Sequence, residues 1–226
     1  MSEFLNTYFP NVIGIKEIVI ESIIQTLYMV IITALISAVF GIIFGVILVV
    51  TADQGILENK KIYRILDKLV NLFRSIPFVI LLALIAPLTR LIVGNAIGTT
   101  AAIVPLVIGT VPFYARQIQV ALLEVDPGII EAADSMGSSP IEIIFRVYLK
   151  EGLPSIIRVS SLTVISLIGL TTMAGAIGGG GLGNLAIARG HNRFQTDVTW
   201  VATAIILVIV FISQFIGDIL VKKTQH

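Results

Sequence analysis

The chain contains no cysteine, so neither a disulfide framework nor a thiolate metal site can be built from it. Charge is also scarce. Asp, Glu, Lys and Arg make up 13% of the 226 residues, where a soluble domain of this size carries about 25%. Hydrophobic residues reach 56%, and the mean hydropathy is +1.00. A multi-span membrane protein is the class that remains. The formal net charge of +1 gives no basic footprint, so no nucleic acid is expected as a partner.

The signatures of chemistry are missing too. No GxxxxGK[ST] occurs, so the chain is not expected to bind ATP on its own. Intramembrane proteolysis needs HExxH, a GxGD aspartate or a serine elbow with a buried base, and none is present. His191 and His226 stand far apart, each near a membrane edge, and read as surface residues. Gly178, Gly180 and Gly183 satisfy GxGxxG literally, but the dinucleotide fingerprint needs a preceding strand, and here the glycines follow an apolar helical run. Backbone freedom at a helix end is the better account. No metal or cofactor is expected.

What is present is a set of charge-free runs. Ser22 to Ala52 is longer than a hydrocarbon core of about 30 Å requires, so the first span tilts or protrudes. Its Gly41 and Gly45 form a GxxxG that permits close helix approach. The stretch from Thr51 to Arg74 is polar, with Ile62, Ile65, Leu66, Leu69, Leu72 and Phe73 at helical spacing, and reads as an amphipathic helix entering the membrane. Further spans are expected at Ser75 to Thr89, which is short and holds two prolines, at Leu91 to Ala115, from Ser155 to the glycine run at Gly178, and at Val198 to Gly217. Placing residues 51–74, the loop after Arg116 and the C-terminus inside gathers eleven of the fifteen basic residues there. The positive-inside rule then puts the N-terminus outside.

The loop that this orientation leaves in the cytoplasm is the polar island Asp126 to Pro154. Asp126 and Pro127 are suited to start a helix, and Gly137 to end it in the left-handed conformation. Ser139 and Glu142 are spaced as a capping box for a second helix. Ile129, Ile130, Ala133 and Met136 make one apolar stripe on the first helix; Ile141, Ile144, Phe145 and Tyr148 make one on the second. Such a pair either lies on the bilayer or docks on a partner.

Inside the membrane the polar groups are mostly hydroxyls. Thr163, Ser166, Leu170, Met173 and Ile177 share one face of the fourth span at steps of three or four. Serine and threonine there either bond their own backbone or line a path.

Several of these motifs resemble a known family. Glu131-Ala132-Ala133, then Gly137, Val147 and Leu149, are similar to the EAA loop of ABC-importer membrane subunits. RSIPFVILL at Arg74 to Leu82, the P-x-x-x-G at Pro105 to Gly109, PFYAR at Pro112 to Arg116 and GLTTMAGAIGGGGLG at Gly169 to Gly183 resemble the methionine-uptake branch. The chain departs from the EAA pattern at Lys150, which continues a helix where the family's proline would break it.

The resemblance implies an all-α integral membrane protein: a single permease domain over residues 1–226 with five transmembrane helices and a cytoplasmic coupling-helix pair at about 124–154. It implies a homodimer in the bacterial plasma membrane, working with two copies of an ABC ATPase and an external substrate-binding lipoprotein. Glu131, Ala132, Ala133, Met136, Gly137, Ile141 and Phe145 would engage the ATPase. Met173 would stand at a closed gate on the dimer axis, with Thr163, Ser166, Leu170 and Thr172 along the path. The expected function is import of methionine or a related amino acid, with no covalent chemistry on this chain. The alternatives are the same machine for another amino acid or a quaternary amine, or a stand-alone channel or structural membrane subunit.

Overall fold

The computed structural model describes residues 8–224, all of whose regular structure is helical. A short helix α1 (Pro10–Ile13) leads into α2 (Lys16–Val50), 35 residues long. The amphipathic helix α3 (Lys60–Ser75) follows, its first amides received by the side chain of Asn59. Two short helices, α4 (Phe78–Leu84) and α5 (Ala86–Val93), precede α6 (Thr99–Leu122). The polar loop forms α7 (Pro127–Ser135) and α8, which opens at Pro140–Ile143, widens into a π turn over Ile144–Tyr148 and closes at Leu149–Glu151. The chain continues through α9 (Leu153–Ala174), a kinked glycine segment (Gly175–Gly179), α10 (Gly181–Asn184) with its π-helical extension (Leu185–His191), and α11 (Thr196–Thr224).

Four of these helical runs are long and apolar enough to cross a membrane: Lys16–Val50, Thr99–Leu122, Leu153–Gly179 and Thr196–Thr224. The expected second span is not one helix. Pro77 starts α4, Ile85 departs from helical geometry, and Pro87 follows one residue into α5, so Ser75 to Thr89 is divided between a helix of seven residues and one of eight that runs on to Val93. The expected third span, Leu91 to Ala115, is displaced. Gly94 and Gly98 both adopt positive φ (82° and 110°), which stops α5 and delays the start of α6 to Thr99, and α6 then runs on through Arg116 to Leu122.

The chain divides into two compact units, and each of the four long helices contributes to both. The first unit comprises Met1–Leu35, Pro77–Val107 and Val164–Ser213. Met29, Leu106, Leu167 and Ile168 fill one core, with Phe78 and Leu82 of α4 packed on it. Leu182, Leu185, Val198 and Ala202 fill a second, covered by Ile15, Ile18 and Val19. Asn11 fastens α1 there by donating both its backbone and side-chain N–H to the Asp197 carboxylate, each at 2.9 Å.

The second unit comprises Ile36–Ile76, Ile108–Thr163 and Gln214–His226. Its core joins Val49 and Val50 of α2, Ile118 and Leu122 of α6, Ala133 of α7, and Ile143, Val147 and Tyr148 of α8. The GxxxG of α2 is a contact face here: a Cβ added to Gly45 would lie 2.5 Å from Ile118 Cγ2, and one added to Gly41 would fall on the Tyr114 ring. The amphipathic α3 seats Val70 beside Leu48 and Ala115. Arg116 secures that seat. Its guanidinium donates to Asp67 Oδ1 (2.5 Å) and Asn71 Oδ1 (3.0 Å) of α3 and to Gln119 Oε1 (2.6 Å).

Candidate functional site

The α7–α8 hairpin carries the first group of candidate residues. Asp126 Oδ1 accepts from Gly128 N at 2.8 Å, starting α7 with Pro127 in its first turn. Gly137 at φ 82° ends it: its N–H donates to Asp134 O at 2.9 Å, and Ser138 N donates to Ala133 O at 3.1 Å. This pair of bonds is a Schellman closure. Two residues later the capping box is complete, with Ser139 N donating to Glu142 Oε2 (3.0 Å) and Glu142 N to Ser139 Oγ (3.4 Å). The Ser139 N–H and hydroxyl, together with the Arg146 charge, hold the Glu142 carboxyl below its ordinary range. The backbone groups that turn the chain here are therefore paired within the bend. Lys150 continues α8, and the break falls at Gly152.

Burial then sorts the two apolar stripes. Ala133, Ile143, Val147 and Tyr148 are buried in the core of the second unit, with Ile130 and Ile144 packed against it. Met136, Ile141 and Phe145 are 79%, 67% and 65% exposed, and Ile129 is exposed as well. Neither stripe is thus a single docking face. Half of each anchors the hairpin and half is presented outward, beside exposed Glu131 and Ala132. Ala133, expected at a partner surface, lies instead in the core of the second unit, where its side chain packs with Ile143 and Val147 rather than facing outward.

The second group lies on α9. Ser166 and Met173 are exposed along one line with Leu162 and Gly169, while Leu170 and Thr172 are half-buried. Thr163 leaves that line. It is 6% exposed, and its hydroxyl donates to Val159 O at 2.8 Å, as the Thr172 hydroxyl donates to Ile168 O at 3.1 Å. Both hydroxyls are thus bonded to the backbone of their own helix. Just beyond Met173 the helix breaks: Ile177 and Gly178 are non-helical, and Gly178, Gly180 and Gly181 all have positive φ. A cleft of about 430 Å³ opens beside the break, bounded by Leu82, Ala83, Ala101, Pro105, Ile177 and Gly178 among others. Its lining holds no charged side chain, and the Thr89 hydroxyl within it donates to Ile85 O. The cleft therefore offers no charged side chain to pair with the charges of an amino acid.

Sequence spacing reveals neither the Arg116 network nor the bonds that Gln25 and Thr26 of α2 accept from the backbone at Gly181 and Leu182. Arg116 and Asp67 were visible as charges flanking apolar runs, but nothing in their spacing pairs residues 49 apart. Gln25 and Thr26 stood in a charge-free run as isolated polar residues. His191 is exposed, and His226 lies outside the described residues. No group of three or more metal-ligating side chains occurs among the described residues.

Among the described residues the regular structure is all helical, four helices are long and apolar enough to cross a membrane, the hairpin presents an outward apolar edge and one long helix breaks at a glycine segment, which is the build of a multi-pass membrane protein. The chain belongs to the family described as binding-protein-dependent transport system inner membrane component, which it matches over residues 41–226. It is 48% identical over 177 residues to the probable D-methionine transport system permease protein MetI of Pasteurella multocida, covering 78% of this chain and 82% of that protein. It is 49% identical over 173 residues to the methionine import system permease protein MetP of Bacillus subtilis, covering 76% and 78%. A chain of the inward-facing MetNI methionine ABC transporter superposes with a TM-score of 0.92 at 38% identity, over 94% of this chain and 99% of that one. An amino acid ABC transporter solved with histidines shares the fold, with a TM-score of 0.79 at 19% identity.

Proposed function

We propose that this chain is the membrane-spanning permease subunit of an ATP-driven importer of methionine or a close relative. It works as a homodimer with two copies of a separate ATPase and an external substrate-binding lipoprotein. The observation that carries this reading is the likeness to the MetNI chain over 94% of the sequence, joined to near-half identity with methionine permeases. The chain itself performs no covalent step, in keeping with its lack of a phosphate-binding motif.

In this reading Met136, Ile141 and Phe145 of the hairpin seat in the ATPase, with Glu131, Ala132 and Gly137 around them. Ala133 holds the hairpin to the permease, so that closure of the ATPases on ATP is passed from the hairpin to the helices it packs on. Met173 closes the path at the dimer axis, with Ser166, Leu170 and Thr172 beside it. The N-terminus is outside and the C-terminus inside. Support comes from the way the basic residues sort. Lys60, Lys61, Arg64, Lys68, Arg74, Arg116, Arg146, Lys150, Arg158, Lys222 and Lys223 all belong to the second unit, and Lys16, Arg90, Arg189 and Arg193 to the first. The α4–α5 pair, with the last turn of α3, supplies the fifth crossing.

Uptake of radiolabelled methionine by cells that lack other methionine importers tests the proposal. Uptake should depend on this chain and on the paired ATPase. Methionine uptake that persists without the chain, alongside lost uptake of another amino acid, would keep the machine and overturn its substrate.

A further inference from the structure

The glycine segment after Met173, taken on to residue 183, does not close all of its own hydrogen bonds. Gly180 and Gly181 both have positive φ, so α10 starts abruptly, and the amides of Gly181 and Leu182 point away from any preceding helical turn. In an apolar surround such amides must find acceptors. They find them on α2. Gly181 N donates to Gln25 Oε1 at 2.7 Å, and Leu182 N donates to Thr26 Oγ1 at 2.8 Å, across 156 residues of sequence.

Both acceptors are aimed by bonds within α2. Gln25 Nε2 donates to Glu21 Oε1 at 2.9 Å, which turns the amide oxygen toward Gly181. The Thr26 hydroxyl spends its proton on Ser22 O at 2.9 Å, leaving its lone pairs for Leu182; Thr26 is 2% exposed. The fit tolerates no side chain, since a Cβ on Gly180 would lie 2.6 Å from Gln25 Oε1 and one on Gly181 2.6 Å from Thr26 Oγ1. The same segment is tied on its other side, where Gly98 N donates to Gly178 O at 3.0 Å. Met173 stands two residues before the segment begins.

We infer that Gln25 and Thr26 are positioning residues for transport: they clamp the glycine segment to α2, and through it set where the Met173 end of α9 stands. They touch no substrate. The inference rests on the reading of Met173 as the gate, and it adds that gate movement requires these two bonds to be kept or exchanged in step with ATP closure.

The test uses the full transporter, this chain with its ATPase, in proteoliposomes. Gln25→Leu with Thr26→Val removes both acceptors at similar volume, and Thr26→Ser keeps both. The double variant should assemble, lose about tenfold in methionine uptake and change ATP hydrolysis less than about twofold, while Thr26→Ser matches the unaltered chain. Cross-linking of Met173→Cys pairs without ATP should fall in the double variant. Uptake and hydrolysis that stay at normal values, or that decline together, would overturn the inference. If the double variant does not fold, Thr26→Val alone decides: hydrogen exchange at Leu182 should speed up, and unchanged exchange would remove the clamp. Failure of Met173→Cys to cross-link in an otherwise unaltered dimer would defeat the gate reading alone; the ratio of uptake to hydrolysis would still judge the clamp.

Discussion

The α7–α8 bend and the glycine segment around Gly178 are both helix ends turned by positive-φ glycines, yet they are stabilised in opposite ways. The bend closes on itself. Asp126, Ser139 and Glu142 receive or supply its free backbone groups within three residues of each partner. The glycine segment is held from α2 and from Gly98, 156 and 80 positions away in sequence. A self-closed bend can project from the molecule and keep its shape at a partner surface. A segment held from outside changes shape when its holder moves, which suits a moving part.

Substitutions at the two sets of glycines should separate these behaviours most strongly. Gly183→Ala places a Cβ onto the backbone carbonyl of Thr172, and no flexible side chain is there to yield. We expect a loss of about 3 kcal/mol from such overpacking, read as a lowered unfolding temperature in detergent. Gly137 has nothing within 4 Å of an added Cβ. Gly137→Val should therefore bear only the left-handed backbone strain of about 1–2 kcal/mol, insert normally, and lose copurification with the ATPase.

Between these falls the Arg116 network. Arg116 and Asp67 keep 20% and 27% side-chain exposure, so breaking the pair with Arg116→Met should cost about 2 kcal/mol, less than a fully buried pair. It should also expose α3 to proteolysis, because Val70 and its neighbours would lose the bonds that align them. An unchanged cleavage pattern would show that packing alone seats α3.

The smallest effect is expected from pH. Glu142 is held below its ordinary value by the Ser139 N–H, the Ser139 hydroxyl and Arg146, so its stabilisation is present above the unfolded carboxylate value. It is lost as pH falls through the lowered folded value. Amide protection at Ser139 should be flat from about pH 5 to 8 and decline below about pH 4.

The same contrast explains what could be read in the sequence. Asp126, Gly137, Ser139 and Glu142 act on neighbours, so their spacing announced the hairpin and its boundaries. Gln25, Thr26, Asp67 and Arg116 act on residues far along the chain, and no spacing reveals such partners. The Leu91 to Ala115 span was misplaced for a related reason. Charge marks a span's end only where the turn is charged, and the uncharged turn at Gly94 to Gly98 reads as membrane by hydropathy although its two glycines adopt positive φ. The stripes of α7 and α8 were correctly apolar, but periodicity cannot divide a stripe between a core and a partner. Burial made that division, taking Ala133 inward and leaving Met136 and Phe145 outside.

We propose that the outward edge of this hairpin is where the ATPase grips the permease. Because the chain has no native cysteine, Phe145→Cys gives a single thiol to follow. Its labelling rate in the purified permease should be that of an exposed thiol, and should fall at least about tenfold once an active ATPase is bound, since a seated side chain is shielded from water. Equal rates with and without a bound, hydrolysing ATPase would contradict the account and place the coupling surface elsewhere.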